Sequence, residues 1–297
     1  MQFYVATMVG RTAIGLIDRL GSIGLLLYQV CACMWTGKFR MRVLVEQIAK
    51  IGVQSQPVVI ITGAFTGAVL EAQTLFQLQT VRMETMGGAV VAVGMFRELG
   101  PVITGLMLAG RVGSAMAAEI GTMKVTEQVD ALKSMNVDPV DYLVKPRIQA
   151  MLISMPILMM EAVLVGIVSA FIVSITAFNV DQAYWMHFMS KFVAMGDIIV
   201  ALVKALVFGL IISLISCREG LNTRNGAVGV GKSTMQAMVY ASVALLIANF
   251  ILTMILNSIF PMGFMRYPLF QSHAAVHPRK PAQTKLRRPG GAERREL

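Results

Sequence analysis

The sequence predicts an all-α integral membrane protein with five transmembrane helices, an N-terminal interfacial helix and a cytoplasmic helix between the second and third spans. The first observation is composition: of 297 residues, 56% are hydrophobic and only 14% are charged, with a mean hydropathy of +0.68. Soluble domains are about 45–50% apolar and about 25% charged. The others are the long apolar runs and the uneven distribution of Lys and Arg between them.

Five apolar runs are long enough for membrane spans, since about 20 consecutive apolar residues cross a bilayer as a helix. The runs cover approximately residues 57–78, 87–110, part of 148–178, 198–217 and 235–260. We therefore expect a membrane domain over residues 57–260, between an interfacial and amphipathic segment at 1–56 and a basic tail at 261–297. From Gln271 the tail is rich in Pro, Arg and Gly, which predicts disorder.

A sixth apolar run, residues 20–35, is shorter and has basic residues on both sides. It has two interpretations, a short span or a helix that lies in the membrane interface. We favour the interfacial helix. In residues 39–56, which follow, Val43, Leu44, Ile48 and Ile51 recur at helical spacing, and this pattern predicts an amphipathic helix that leads into the first span.

The distribution of Lys and Arg predicts the orientation. With five spans and the N-terminal segment inside, the inside segments carry fourteen of these residues, and the two outside loops carry only Arg82 and Lys191. Short loops rich in Lys and Arg remain cytoplasmic. The eight Lys and Arg after residue 265 then fall outside, against this rule. A sixth span at residues 20–35 would bring the tail inside, but we keep five spans.

The longest hydrophilic segment between spans, residues 111–147, lies on the cytoplasmic side in this orientation. Val125, Val129 and Leu132 share one helical face, and Asp138-Pro139 ends the pattern. We therefore predict a short amphipathic helix over residues 124–135. It is either a structural loop helix or a docking surface for a cytoplasmic partner.

Ordered motifs around this loop carry a family resemblance. "RELGPV" (97–102), "AGR-GSA--AEIG-MK-TEQ-DAL" (109–132) and "M-VDP" (135–139) follow one another. They continue with Pro146-Arg147, Met155-Pro156, the Asp197–Lys204–Phe208 pattern and "GA-GVG-ST" (226–234). Over about residues 47–257 the chain resembles the MlaE/YrbE family, the membrane permeases of ABC transporters that move lipids with MCE-domain partners.

The resemblance implies a homodimeric permease that carries two separate ATPase subunits, so that ATP-Mg binds to the partner chains. It implies an MCE-domain partner, a phospholipid or related lipid as substrate, and the inner membrane of a bacterium or a derived organelle. It also makes the helix between spans two and three a coupling helix. The residues expected to dock the ATPase are Glu119, Lys124, Glu127, Val129, Asp130 and Leu132.

One motif points to a different class, a membrane-anchored nucleotide hydrolase. "GAVGVGKST" (226–234) matches G-x-x-x-x-G-K-[ST], with Gly226, Gly231, Lys232 and Ser233 at the defining positions. A phosphate-binding loop joins a buried strand to a helix and needs a second strand that ends in a metal-binding acid. The sequence offers neither, so we interpret the match as chance and expect the glycines to turn the chain at the membrane surface.

Charged residues inside the predicted spans are candidates for function, because charges in the bilayer core are costly. They are Glu71, Arg97, Glu98, Glu161 and Lys204. Arg97 and Glu98 are adjacent and point about 100° apart on a helix, so either could pair across a dimer or with another span. Structural ion pairs are the alternative. Carboxylates in the membrane also allow a secondary transporter that relays protons.

The walls of the spans favour an amphiphilic substrate. They are rich in Gly, Ala, Val and Met and poor in the hydroxyl and amide groups that bind sugars or ions. Small residues permit close helix approach, so we expect span one to line a dimer seam, with Gly63, Gly67 and Leu70 in a substrate cavity. Neither a metal site nor a cofactor on this chain is expected, and the basic residues flank apolar runs rather than indicate nucleic-acid binding.

Overall fold

The computed structural model describes residues 21–33, 40–80 and 82–260, and these ranges are almost entirely helical. In chain order the helices are α1 (Gly21–Cys33), α2 (Met41–Ile51), α3 (Gln56–Thr80), α4 (Gly87–Gly94), α5 (Gly100–Leu108), α6 (Ser114–Val125), α7 (Gln128–Ser134), α8 (Lys145–Phe178), α9 (Gln182–Phe192), α10 (Met195–Leu221) and α11 (Gly226–Ile259). The predicted tail, residues 261–297, lies outside the described residues.

Five helical runs are long and apolar enough to cross a membrane, which confirms the predicted fold class. They are Met41–Thr80, Glu84–Val125, Val140–Phe178, Met195–Leu221 and Gly226–Ile259, here called spans one to five. Span two contains α4, α5 and α6, joined by two single π-helical turns, Met95–Leu99 and Ala109–Gly113. Such turns insert a residue into the helix and change which side chains face a neighbouring span.

The helical part of span two continues well beyond residue 110, where the sequence predicted that it would end. Helix α6 extends to Val125, so the first part of the predicted loop is helical. The single helix predicted over residues 124–135 is also wrong. Glu127 adopts a left-handed conformation with φ 62°, which a helix cannot accommodate, and the chain restarts as the short α7.

Helix α1 has 13 residues, from Gly21 to Cys33, and is therefore only about 20 Å long. That is short of the roughly 30 Å hydrocarbon core, so the described helix does not form a sixth span. Its Leu26 and Val30 are buried in one cluster with Ile120, Ile148 and Leu214, from spans two, three and four. An interfacial position at the cytoplasmic ends of these spans stays our prediction.

Helix α9, between spans three and four, was not predicted. Asn179 ends α8 in a left-handed conformation with φ 53°. Asp181 then caps α9, because its Oδ1 accepts hydrogen bonds from the backbone N–H groups of Ala183 and Tyr184, at 2.9 and 3.1 Å. The helix packs on α4 through buried Trp185, whose ring covers Gly88: a Cβ there would lie 2.6 Å from Trp185 Cε2.

The most extensive helix pair is α3 with α8, which bury a seam of small residues. A Cβ at Gly67 would lie 2.0 Å from the carbonyl oxygen of Gly166, and one at Gly63 would lie 2.7 Å from that of Ala162. The two backbones are therefore in direct contact. Gly63 and Gly67, which were expected in a substrate cavity, therefore face α8 of their own chain. A dimer seam along the exposed face of span one stays a prediction.

Candidate functional site

Four charged side chains from spans two and four meet in one buried polar cluster, completed by three polar residues of span five. The cluster consists of Arg97, Glu98, Asp197, Lys204, Asn249, Thr253 and Asn257. It contains two cations and two carboxylates, so its formal charge balances. Buried charges are tolerated in this way, by pairing and hydrogen bonding.

Arg97 joins spans two, four and five where α10 begins and α11 ends. Its Nε lies 2.5 Å from Asp197 Oδ1, and both side chains are almost completely buried. Its Nη1 donates to Asn257 Oδ1 at 2.7 Å, and its Nη2 donates to the main-chain oxygen of Phe260 at 2.9 Å. Since Phe260 follows the last residue of α11, the guanidinium also binds the carbonyl end of that helix, where a cation is favourable.

Asp197 complements this arrangement at the opposite helix end. It lies in the first turn of α10, and its Oδ2 accepts a hydrogen bond from the backbone N–H of Ala194 at 2.9 Å. Carboxylates are stabilised at the amino ends of helices. One Arg–Asp pair thus satisfies the start of span four and the end of span five, which locks these two helices to span two.

Lys204 forms the second pair and repairs a defect in span two. The main-chain oxygen of Arg97 would normally accept a hydrogen bond from residue 101, but Pro101 has no N–H. Lys204 Nζ supplies the missing donor at 2.6 Å. It also lies 3.0 Å from Glu98 Oε1, and it donates to Thr253 Oγ1 at 2.8 Å.

Glu98 differs from the other three charges because its side chain is 40% exposed. Asn249 Nδ2 and Thr253 Oγ1 donate to its carboxylate at 3.2 and 3.1 Å. The carboxylate therefore combines partners in the cluster with an accessible edge. A ligand from outside the bundle can reach this edge of the cluster.

The other two predicted charges lie elsewhere. Glu71 is completely buried and accepts a hydrogen bond from Trp185 Nε1 at 2.9 Å, which ties α9 to span one. Glu161 lies near the middle of α8, in an open apolar groove with Pro156, Ile157 and Leu202. The structure therefore brings together three of the five predicted charges, Arg97, Glu98 and Lys204, and separates Glu71 and Glu161 from them.

The sequence analysis did not place Asp197, Asn249, Thr253 or Asn257 in a site. A signal for the last three is present, because they are four residues apart in an otherwise apolar span and so share one helical face. Asp197 lies seven residues before Lys204, also on one face, and this spacing allows each to meet one of two adjacent residues on another span.

An apolar groove lies between span one and the π-helical turn of span two. Its volume is about 470 Å³, and its walls are formed by Phe65, Thr66, Val69, Leu70, Gln73 and Leu99. Phe65 and Val69 are 69% and 66% exposed. Of the three predicted cavity residues only Leu70 lines this groove.

The residues that match the nucleotide motif form the start of a helix. Asn225 and Gly226 turn the chain with φ 67° and 63°, and α11 then runs without interruption through Gly231, Lys232 and Ser233. Ser233 is buried and pairs with Thr223 at 2.9 Å between the hydroxyl oxygens. The backbone N–H groups of a helix interior are not free to surround a phosphate.

The predicted docking residues are distributed over two surfaces. Glu119 points towards Arg147, with Oε2 and Nη2 2.9 Å apart. Lys124 and Lys133 both pair with Asp130, at 2.7 and 3.5 Å. The hydrogen bonds from Lys124 hold the pKa of the Asp130 carboxyl below its ordinary value, so this carboxylate stays ionised at neutral pH.

Val129 is only 2% exposed, because α7 packs it against the chain itself. It therefore cannot contact a partner protein directly. Leu132 is partly buried, whereas Glu127, Ala131 and Met135 are exposed on the outer side of the loop. Any docking through this loop would use that outer surface.

Comparison with known proteins agrees with this architecture. The family model described as permease MlaE matches residues 44–255. A probable ABC transporter permease protein of Rickettsia conorii is 38% identical over 253 residues, 85% of this chain and 98% of the relative. The intermembrane phospholipid transport system permease protein MlaE of Haemophilus influenzae is 35% identical over 253 residues, 84% of this chain and 95% of its own length.

A plant protein is also similar. The chloroplastic protein TRIGALACTOSYLDIACYLGLYCEROL 1 of Arabidopsis thaliana is 37% identical over 232 residues, which cover 78% of this chain and 66% of the relative. The family match includes the four charges of the polar cluster, the apolar groove and the loop between spans two and three. Together with these relatives, it shows that the chain belongs to the MlaE family of ABC transporter permeases.

Proposed function

We propose that this permease moves a phospholipid or a related lipid and that the energy comes from ATP-Mg hydrolysed on two separate ATPase subunits. The proposal places it as a homodimer in the inner membrane of a bacterium or a derived organelle, together with an MCE-domain protein. The Haemophilus influenzae relative is named as the permease of an intermembrane phospholipid transport system, which supports the choice of substrate.

The observation that carries the proposal is the open apolar groove between spans one and two. Its volume of about 470 Å³ is in the range of small-ligand sites, about 300–1,000 Å³. Its walls are almost entirely apolar and suit an acyl chain, since burial of each methylene group contributes about 0.8 kcal/mol. Gln73, in the lining of the groove, offers a polar contact for a lipid headgroup.

The exposed faces of spans one and five support a dimer. Large apolar side chains are exposed along both α3 and α11, among them Phe65, Phe76, Leu246 and Phe250. In a membrane protein such faces contact lipid or another helix. A second copy placed against these faces would enclose the groove and complete a cavity between the two chains.

The cytoplasmic loop supports an ATPase partner. Its outer surface, formed by Glu127, Ala131 and Met135, is exposed, while Val129 anchors it to the bundle. The Lys124–Asp130 pair holds α7 to the end of span two. A force applied to α7 by an ATPase would therefore be transmitted to span two and to the polar cluster that contains Arg97.

A secondary transporter that relays protons is not favoured by the geometry. Such a relay needs carboxylates linked by hydrogen bonds or water. Glu98 and Asp197 are each paired with a cation, and Glu71 and Glu161 lie apart from them. In the part of the chain that the structure describes, no continuous path of carboxylates joins the two sides.

The test is lipid transfer by the purified complex. Leu70→Gln places an amide in the groove, and we expect ATP-dependent transfer of a fluorescent phospholipid between vesicles to fall roughly tenfold, because one apolar wall is lost. Val168→Gln, on the exposed outer face of α8, is the matched control and should transfer lipid normally. Equal transfer by both variants, or purification of the active permease without an ATPase subunit, would contradict the proposal.

A further inference from the structure

A separate cleft lies at the end of the bundle that is predicted to be cytoplasmic, between α2 and residues 111–119 of span two. It has a volume of about 190 Å³, and its lining includes Gln47, Lys50, Gln54, Arg111, Ala115 and Glu119. The apolar groove begins at Phe65 on α3, eleven residues beyond Gln54, and the two sites share no residue. At 1.5 Å per residue they are separated by about 16 Å along the span.

The cleft has more positive than negative charge available to a ligand. Its one carboxylate, Glu119, already pairs with Arg147 at 2.9 Å, whereas Lys50 Nζ lies 3.7 Å from the other carboxylate oxygen and 3.8 Å from Glu46. These longer contacts are between exposed side chains and are weak. Within the described ranges, the guanidinium of Arg111 has no hydrogen-bond or ion-pair partner.

Gln47 provides an independent observation. It lies on the buried side of α2 and is only 9% exposed, yet its side-chain amide forms no hydrogen bond with any residue in the described parts of the chain. The amide is not sealed from the cleft, so it is free to bind a ligand there. Since Gln47 lines the cleft, a ligand in the cleft can supply the missing partner.

The position of the cleft indicates the kind of ligand. Arg111 and Glu119 lie at the end of span two that carries the Lys- and Arg-rich segments, on the side predicted to be cytoplasmic. The cleft is therefore at the level of the headgroups of the inner leaflet. Towards the bilayer, the segment that follows α2 in the same chain exposes Val53, Ile60 and Ile61, which are suitable contacts for acyl chains.

We propose that this cleft binds the phosphate of an anionic phospholipid of the cytoplasmic leaflet, as a bound lipid separate from the transported one. Arg111 and Lys50 provide charged donors to the phosphate oxygens, and the Gln47 and Gln54 amides provide neutral ones. Guanidinium groups suit phosphate because two N–H groups can bind two oxygens, and basic clefts between membrane helices bind such headgroups. The lipid would hold α2 against span two.

The test uses the full-length protein in detergent and native mass spectrometry with added phosphatidylglycerol. Arg111→Gln should weaken lipid binding at this site about tenfold, the loss expected when one charge-assisted hydrogen bond is removed. Arg42→Gln is the matched control, because it removes the same charge from the exposed side of α2. It should leave binding unchanged, as should phosphatidylcholine added as competitor.

A second variant keeps the test valid if Arg111→Gln fails to fold. Ala115→Met fills the cleft without changing its charge and should cause the same loss. Equal binding by Arg111→Gln and Arg42→Gln would overturn the proposal, and so would displacement of the lipid by inorganic phosphate, which would indicate a free-phosphate site. Leu70→Gln, in the apolar groove, should leave Arg111-dependent binding unchanged. A failure of the proposed transport function can therefore be distinguished from a failure of this proposal.

Discussion

The polar cluster and the α3–α8 seam are both buried in the membrane, yet they hold helices together by opposite means. In the cluster, long side chains from three spans reach one another, and Arg97–Asp197 and Lys204–Glu98 form the contacts. In the seam, Gly63 and Gly67 have no side chains, and the backbones themselves touch. The cluster can therefore be disrupted by deleting atoms, whereas the seam is disrupted by adding a single one.

The largest effect is expected in the seam. Gly67→Ala places a methyl group 2.0 Å from the carbonyl oxygen of Gly166 and 2.6 Å from its Cα, and backbone cannot rotate away as a side chain can. The two helices must separate, which also loosens the contact of Gly63 with Ala162. We expect destabilisation above about 4 kcal/mol, in the range of the most damaging substitutions, seen as loss of the monodisperse peak in size-exclusion chromatography.

Gly94→Ala is the matched control for the seam. It is the same substitution in an apolar span, but the nearest atom to the added methyl group is Leu70 Cδ2 at 3.8 Å, an ordinary contact. Alanine is favoured over glycine in a helix by about 1 kcal/mol, so this variant should be as stable as the parent or more stable. If both variants chromatograph alike, direct backbone contact does not hold α3 to α8.

The next effect is expected in the cluster. Arg97→Leu leaves Asp197 charged, buried and without its partner, a change that costs about 3–5 kcal/mol. A lower melting temperature in detergent, followed by Trp fluorescence, would measure the loss. Adding Asp197→Asn removes the stranded charge while its side-chain oxygen can still accept from the N–H of Ala194, so the double variant should recover part of the stability. No recovery would mean that the pairing itself is not the stabilising contact.

The two regions also differ in what the sequence could predict. Arg97, Glu98 and Lys204 were identified because a charge in an apolar run is conspicuous, and their pairing follows from the cost of leaving such charges alone. Asp197 and the polar residues of span five were not placed with them, because these contacts depend on the π-helical turn at Met95–Leu99, which rotates span two locally. The number of spans was predictable because hydropathy along the sequence shows the length and the apolar composition of each run directly.

Gly63 and Gly67 show the limit of this approach. Small residues at four-residue spacing predict close helix approach, and close approach is what the structure contains. Their spacing does not say which helix approaches, and in the structure it is α8 of the same chain. Glu127 shows another limit, because a left-handed residue that divides a helix carries no periodic signal in the residues around it.

The smallest effect is expected at Lys232, which is a lysine like Lys204 but is exposed rather than buried. Lys204 is completely buried and donates to Arg97, Thr253 and Glu98, so Lys204→Met should lower the melting temperature clearly. Lys232 is exposed in the second turn of α11, and exposed charges change stability by less than about 0.5 kcal/mol. Lys232→Ala should therefore leave the melting temperature unchanged and ATP turnover by the assembled complex within about twofold of the parent. A nucleotide bound at residues 226–234 would give the opposite result, because the lysine of a phosphate-binding loop contacts the β- and γ-phosphates. Photo-crosslinking of a nucleotide to this chain, abolished by Lys232→Ala, would show that α11 opens into a binding loop and that the exposed lysine, not the buried one, is the functional charge.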